Sequence, residues 1–134
     1  MNNRELAETF QLIGDLMEIK GENIYKILAY RKASDSLLNL GRDINDVYRE
    51  GELTSIPGVG KAIAEKIEEL IKTGQLEFLE KLKQEVPAGL AEMLKVPDLG
   101  PKKVALFWKE AGIDSLSKLE SAAQAGKLRK LSGM

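Results

Sequence analysis

The strongest constraint on the fold is a turn that occurs twice, each time directly ahead of a helical run. Residues 56–67 read IPGVGKAIAEKI and residues 96–107 read VPDLGPKKVALF. Both segments contain an apolar residue, proline, a variable position, a second apolar residue and glycine, and then apolar residues at helical spacing. A chain with this repeat is expected to contain two pairs of helices, each pair joined by a tight turn.

The remaining sequence also predicts helices. Apolar residues recur every three or four positions, and no segment alternates with a period of two for long enough to suggest a sheet. One such helical set is Leu6, Phe10, Ile13 and Met17. We therefore expect an all-α fold of two small helical lobes, each built around one helix-hairpin-helix motif.

Capping residues and a proline indicate where these elements begin and end. Asn23 and Asp43 are expected to cap the helices that follow them. The Val86-Pro87 pair is the expected joint between a lobe of residues 1–85 and a lobe of residues 86–134. The final LRKLSGM looks like the start of a third hairpin, so the chain is expected to be cut from a longer one.

The residue types that are missing narrow the chemistry. The chain has no cysteine and no histidine, which excludes thiolate and imidazole chemistry and the common zinc sites. Its formal net charge is −1, so any nucleic-acid binding must rest on local lysines and local geometry. No apolar run approaches the ~20 residues that cross a bilayer. We expect a cytoplasmic, monomeric protein with no membrane partner.

The repeated turn is suited to holding an anion. Glycine tolerates positive φ and has no Cβ, so backbone N–H groups at the start of the next helix can approach a phosphate oxygen, and the helix dipole favours the negative charge. DNA phosphate is the natural ligand, contacted without regard to base sequence. The residues assigned to this contact are Gly58, Gly60, Lys61, Gly100, Lys102 and Lys103. The alternative is that each turn only ends one helix and begins another.

The second repeat differs from the first at one position. Asp98 stands where the first repeat has Gly58. Its Cβ and carboxylate are expected to weaken the approach of a phosphate, unless the side chain instead caps the following helix. We expect the second hairpin to bind phosphate less tightly.

Two lysines lie near the apolar faces of their helices. At about 100° per residue, Lys66 falls at the border of the apolar face of its helix and Lys26 falls inside the apolar arc of another. A lysine that acts as a neutral amine needs partial desolvation or nearby positive charge. The alternative is a lysine whose stem lies along an apolar edge while its ammonium stays in water. The second repeat has Leu106 in place of Lys66, so the hairpin itself does not require an amine there.

Longer segments carry a family resemblance. FQLIGDLMEIKGENIYKILAYRKA, followed by EGELTSIPGVGKAIAEKIEELIKTGQLEFLEKLKQEVPAGLAEMLKVPDLGPKKVALFWKEAGI, resembles the N-terminal region of the bacterial family X DNA polymerases, relatives of DNA polymerase beta. The resemblance implies a lyase-type domain that grips the 5′-phosphate side of a gap in DNA, and a second hairpin subdomain that holds the primer side. It places the chain in base excision repair, with polymerization and Mg²⁺ in a later palm domain.

The resemblance also implies roles for single residues. Lys66 would form a Schiff base with an abasic sugar, a lyase step that needs no cofactor, and Glu65 would assist proton transfer. Lys26 and Tyr30 would line the 5′-phosphate pocket, and Tyr25 would stack on a base. A Na⁺ or K⁺ ion would bridge DNA phosphate and the backbone carbonyls of Thr54, Ile56 and Val59.

This sequence departs from DNA polymerase beta in ways that remove charge. Thr54, Ala62 and Phe78 stand where that protein has lysines, which weakens phosphate binding and the case for a lyase. The function predicted from the sequence is sequence-independent binding of gapped or nicked DNA and its 5′-phosphate, with lyase activity as a further expectation. The alternative is a non-catalytic helical module that binds DNA or another protein within a larger chain.

Overall fold

The computed structural model describes residues 1–124, and within them it is helical with no strand. The all-α prediction is confirmed. A 3-10 turn lies at Leu53–Ser55. The α-helices are α1 (Asn3–Lys20), α2 (Ile24–Leu38), α3 (Ile44–Arg49), α4 (Lys61–Thr73), α5 (Glu77–Gln84), α6 (Gly89–Met93), α7 (Pro101–Ala111) and α8 (Leu116–Gln124). The predicted third hairpin at residues 128–134 lies outside the described residues.

Short polar side chains cap the first three helices. Asn2 and Glu5 form a reciprocal capping box at the start of α1, with hydrogen bonds of 2.8 and 3.1 Å. Asn23 accepts a hydrogen bond of 2.8 Å from the Tyr25 amide at the start of α2. Asp43 accepts one of 2.9 Å from the Asn45 amide in α3. The caps predicted at Asn23 and Asp43 are confirmed.

Helix α1 lies at the centre of the molecule and packs against α2, α5 and α7. Phe10 and Ile13 of α1 are fully buried, because apolar residues at helical spacing cover more than one side of this helix. The buried Ser34 of α2 donates a hydrogen bond of 2.7 Å to the Ala7 carbonyl of α1, which satisfies its hydroxyl in the core.

The hydrophobic core runs past Val86-Pro87 without a break. Val104 and Phe107 of α7 belong to the same cluster of buried residues as Phe10 of α1. The division into domains of residues 1–85 and 86–134 stays a prediction. None of the described helices has the length and hydrophobicity needed to cross a bilayer.

The cap of α3 generates a prediction about pH. The hydrogen bond from the Asn45 amide holds the pKa of Asp43 below its usual value of 3.8, so this carboxylate stabilises the fold above pH 3.8 and the contribution is lost as the pH falls through the folded value. We expect Asp43→Ala to lower the Tm at pH 7, whereas Asp43→Asn retains the cap.

The measurement is thermal unfolding by circular dichroism from pH 7 to pH 3. The wild type should have a higher Tm than Asp43→Ala at pH 7, and this difference should shrink toward pH 3. The difference in Tm between Asp43→Asn and Asp43→Ala should persist at pH 3. If Asp43→Asn loses as much Tm at pH 7 as Asp43→Ala, the cap does not act through this hydrogen bond.

Candidate nucleic-acid interface

The first hairpin turn leads into α4 with its backbone amides exposed. Gly58 has φ +80°, and the Val59 amide donates a hydrogen bond of 3.0 Å to the Ile56 carbonyl. Gly60 is the N-cap of α4, and no side chain forms a capping hydrogen bond there. The first N–H groups of α4 are therefore open to an anion at the positive end of the helix dipole.

Helix α2 holds this turn in place. The Ser36 hydroxyl donates a hydrogen bond of 2.6 Å to the Pro57 carbonyl. A Cβ at Gly58 would lie 2.9 Å from Cγ of Lys32, which is closer than carbon atoms pack without one of them moving. Glycine is needed at this position both for its positive φ and because the Lys32 stem lies against it.

The second hairpin repeats this backbone geometry. The Leu99 amide donates a hydrogen bond of 3.1 Å to the Val96 carbonyl, and Gly100 is the N-cap of α7 without a capping side chain. Asp98 has φ +67°, the only positive φ outside glycine in the described chain. It takes the conformation of Gly58 and does not cap α7, while its carbonyl accepts a hydrogen bond of 3.4 Å from Lys103 Nζ.

A cavity of about 730 Å³ opens between α1, α2, the first hairpin and α5. It brings together five predicted site residues, namely Lys26, Tyr30, Gly58, Gly60 and Lys61. Lys26 and Lys61 are exposed, and within residues 1–124 neither forms an ion pair with a carboxylate. Lys26, Lys61 and the open N-terminus of α4 therefore line one cavity.

Lys26 lies on the face of α2 that carries the fully buried Ala33 and Leu37, as the helical wheel indicates, but its own side chain is exposed because it lines an open cavity. Tyr25, one position earlier, is 78% exposed on another side of the helix. Tyr25 lies outside the residues that line the cavity. Lys26 reaches the cavity from an exposed helix surface.

The structure does not bring Lys66 into this cavity. Its Nζ lies 5.0 Å from the centroid of the Phe78 ring, and it lines a neighbouring cavity of about 300 Å³ together with Glu65 and Phe78. Phe78 lines both cavities. It therefore lies between Lys66 on one side and Lys26 and Lys61 on the other. Lys66 is half-buried, in keeping with its position at the border of the apolar face of α4.

Tyr30 forms the inner part of an aromatic row. Its ring stacks on Phe10 with centroids 6.1 Å apart and on Phe78 with centroids 5.7 Å apart. Burial raises the pKa of the Tyr30 hydroxyl above its usual value of 10.0, so the hydroxyl stays protonated and can donate a hydrogen bond at neutral pH.

Lys20 and Lys81 also line the cavity, although no sequence pattern singles them out. Lys20 is held by Glu22 at 3.1 Å and by Glu85, and the hydrogen bond to Glu85 raises the pKa of Lys20. Lys81 pairs with Glu77 at 3.3 Å. Glu85 is 65 residues from Lys20, a distance over which helical periodicity carries no signal.

The second hairpin has a more acidic setting. Gly100, Lys102 and Lys103 border a groove that also contains Asp15 and Glu18 of α1. Both carboxylates pair with Arg31, at 2.8 and 2.9 Å, and burial raises the pKa of Asp15 although Arg31 opposes this shift. Two carboxylates share one guanidinium here, so this groove favours an anion less than the first hairpin does.

The backbone at the first turn also limits where a cation could sit. The Ile56 carbonyl already accepts the Val59 amide and has one lone pair left. Thr54 lies in the 3-10 turn before it. Within residues 1–124, no three carboxylates are grouped so that they could hold a metal ion.

Comparison with known proteins places the chain in a family. Residues 1–76 match the helix-hairpin-helix domain, and residues 50–105 match a SAM-like helix-hairpin-helix tandem. The chain belongs to the helix-hairpin-helix domain family.

More particularly, it is similar to the N-terminal region of family X DNA polymerases. It is 35% identical to DNA polymerase/3'-5' exonuclease PolX of Bacillus subtilis (strain 168) over 99% of this chain and 23% of that protein. It is 27% identical to DNA polymerase lambda of Rattus norvegicus over 90% of this chain and 20% of that protein. The chain thus spans less than a quarter of the length of these two relatives.

The strained residue of the second hairpin generates a prediction. Asp98→Gly should raise the free energy of unfolding by up to about 1 kcal/mol, because glycine adopts a positive φ without the clash of a Cβ. It should also strengthen binding of duplex DNA, since a carboxylate is removed beside Gly100.

Urea unfolding and fluorescence anisotropy with duplex DNA measure these two effects. Asp98→Asn is the matched control, because it removes the charge and retains the Cβ. DNA affinity that is unchanged in both variants would show that the second hairpin does not contact phosphate.

Proposed function

We propose that this chain binds DNA at gaps and nicks without base-sequence preference, and that the 730 Å³ cavity receives the 5′-phosphate of the downstream strand. The observation that carries this proposal is that Lys26 and Lys61 line the same cavity as the N-terminus of α4, which has no capping side chain. Backbone amides, two ammonium groups and a helix dipole favour a phosphate monoester at one point.

The two hairpins divide the contacts with the DNA backbone. The first holds the phosphorylated 5′ end, and the second holds a further stretch of backbone through Gly100, Lys102 and Lys103. The groove beside the second hairpin is lined by three carboxylates as well as three cationic side chains, which makes this hairpin the weaker of the two. A Na⁺ or K⁺ ion at the carbonyls of Thr54, Ile56 and Val59 would bridge the first turn to a phosphate oxygen.

Both relatives are named as DNA polymerases, which supports a parent protein with a polymerase domain, and the family resemblance leads us to place that protein in gap filling during base excision repair. In this proposal the parent protein carries a palm domain that binds Mg²⁺ and extends the primer, while this chain binds the DNA as a monomer. A helical module that binds another protein through its hairpins is the alternative, and it predicts no affinity for DNA at low salt.

A 5′-deoxyribose-phosphate lyase is the second candidate activity, favoured by the half-buried position of Lys66 beside Glu65. The neutral Lys66 amine attacks C1′ of the open-chain sugar aldehyde, and loss of water gives an iminium ion. A base, here Glu65, takes a proton from C2′, the C3′–O bond breaks, and the phosphate leaves as the new 5′ end of the DNA. Water then hydrolyses the remaining imine, which releases the unsaturated sugar aldehyde and regenerates the Lys66 amine. Lys66 must leave the face of Phe78 to reach a sugar held by Lys26.

The phosphate pocket is tested with Lys26→Ala and gapped DNA that ends in a 5′-phosphate or a 5′-hydroxyl. We expect the wild type to prefer the phosphate and Lys26→Ala to lose roughly ten-fold in affinity for it, the cost of one hydrogen bond to a charged group. The slope of log affinity against log salt should fall by about one. Fluorescence anisotropy at several salt concentrations measures both effects.

Lys72→Ala is the matched control for charge. Lys72 lies at the other end of α4 and pairs with Glu68 at 2.9 Å, so its removal should change affinity less than two-fold on the scale expected for surface ion pairs. A wild-type protein that binds both DNA ends equally well would contradict the pocket, and absence of all binding would favour the protein-interaction alternative.

The lyase is tested by borohydride trapping on DNA with a 5′-deoxyribose phosphate. Lys66→Ala should abolish the covalent adduct, because its amine supplies the nitrogen of the Schiff base. Lys26→Ala should still be trapped at saturating DNA. An adduct that survives in Lys66→Ala would assign the chemistry to another amine, and no adduct in the wild type would leave DNA binding as the function.

A further inference from the structure

We propose that the cavity beside the first hairpin takes the base of a DNA 5′ end as well as its phosphate, so that its ligand is an unpaired 5′-terminal nucleotide. This inference rests on the proposed function, since it assumes that the phosphate binds at Lys26 and Lys61. It adds the chemical class of the group that fills the rest of the cavity.

The size and lining of the cavity exceed what a phosphate requires. Its volume of about 730 Å³ lies in the range of sites that bind whole small molecules. Lys26, Lys61 and the first amides of α4 are sufficient to hold a phosphate. The remaining wall is largely apolar, formed by Met17, Ala29, Tyr30, Ile63, Phe78 and Leu82, and such a wall matches an aromatic ring that has left water.

The aromatic part of this wall is firmly placed. Phe78 is 36% exposed, although its ring is stacked on Tyr30 with an angle of 16° between the planes. Tyr30 is stacked in turn on the fully buried Phe10. An exposed ring that is fixed from behind presents an apolar contact to a base at little cost in side-chain entropy.

A further part of the lining supplies polar partners for a base. Glu22 and Glu85 both hold Lys20 at the cavity, so this group of three carries a net charge of −1. It disfavours a second phosphate and offers carboxylate oxygens to the exocyclic amino groups of a base. A terminal base must leave its pair to enter, at a cost that is least for a mismatched end.

The test compares three gapped DNAs with downstream strands that each end in a 5′-phosphate. The terminal nucleotide is a mismatched base, a paired base, or a tetrahydrofuran without a base. We expect the wild type to bind the mismatched end at least about three-fold more tightly than the tetrahydrofuran end, the scale of one aromatic contact. The paired end should lie between them. Equal affinity for the mismatched and tetrahydrofuran ends overturns the inference.

Variants of Phe78 and Tyr25 test whether the base stacks inside or outside the cavity. Phe78→Ala should reduce the three-fold preference to less than two-fold, and Phe78→Leu, which retains apolar bulk, should do the same if the truncated variant does not fold. Tyr25→Ala tests the alternative that the family resemblance implies, a base stacked on Tyr25, which is exposed and lies outside the cavity. If Tyr25→Ala abolishes the preference and the Phe78 variants retain it, the base stacks outside and the inference is wrong.

A fourth DNA separates this inference from the proposed function. A mismatched end with a 5′-hydroxyl should bind more weakly than the same end with a 5′-phosphate. Loss of that difference refutes the phosphate pocket itself, whereas a retained difference with equal binding of mismatched and tetrahydrofuran ends refutes only the base site.

Discussion

The packing of α1 is the constraint on which the rest of the structure depends. This helix contacts α2, α5 and α7, so it must be apolar on more than one side, and Phe10 and Ile13 are fully buried within it. Each hairpin turn contributes only a few residues to the hydrophobic core, Ile56 and Val59 in the first and Leu99 in the second. The turns take up defined positions because the helices that follow them are anchored, directly or through their neighbours, to this central helix.

The starts of these helices fall into two groups, those that a side chain caps and those that no side chain caps. Asn2, Asn23 and Asp43 satisfy amides at the starts of α1, α2 and α3 with their own side chains. The two hairpin helices begin instead at Gly60 and Gly100, without a capping side chain. A capping side chain stabilises a helix but occupies the amides that would bind an anion, so glycine at these two positions favours binding over local stability.

In this nearly neutral chain, the electrostatic field at a site depends on which charged side chains lie there and on whether they are paired. Many lysines lie beside carboxylates, as Lys72 beside Glu68 and Lys81 beside Glu77, and these pairs contribute little to an external field. Lys26 and Lys61 form no such pair within residues 1–124, and both line the large cavity. Local geometry can therefore produce an anion site in a protein whose formal net charge is −1.

The sequence by itself determined the helices, their caps at Asn23 and Asp43, and the repeated hairpin, because these depend on residues a few positions apart. Only the tertiary structure decided that Phe78 stands between Lys66 and the cavity of Lys26, and that Lys20 meets Glu85. A helical wheel gives the face on which a side chain lies but not the element that covers that face. For this reason the wheel places Lys26 on the face of α2 that carries the buried Ala33 and Leu37, while only the fold shows that this lysine lines an open cavity.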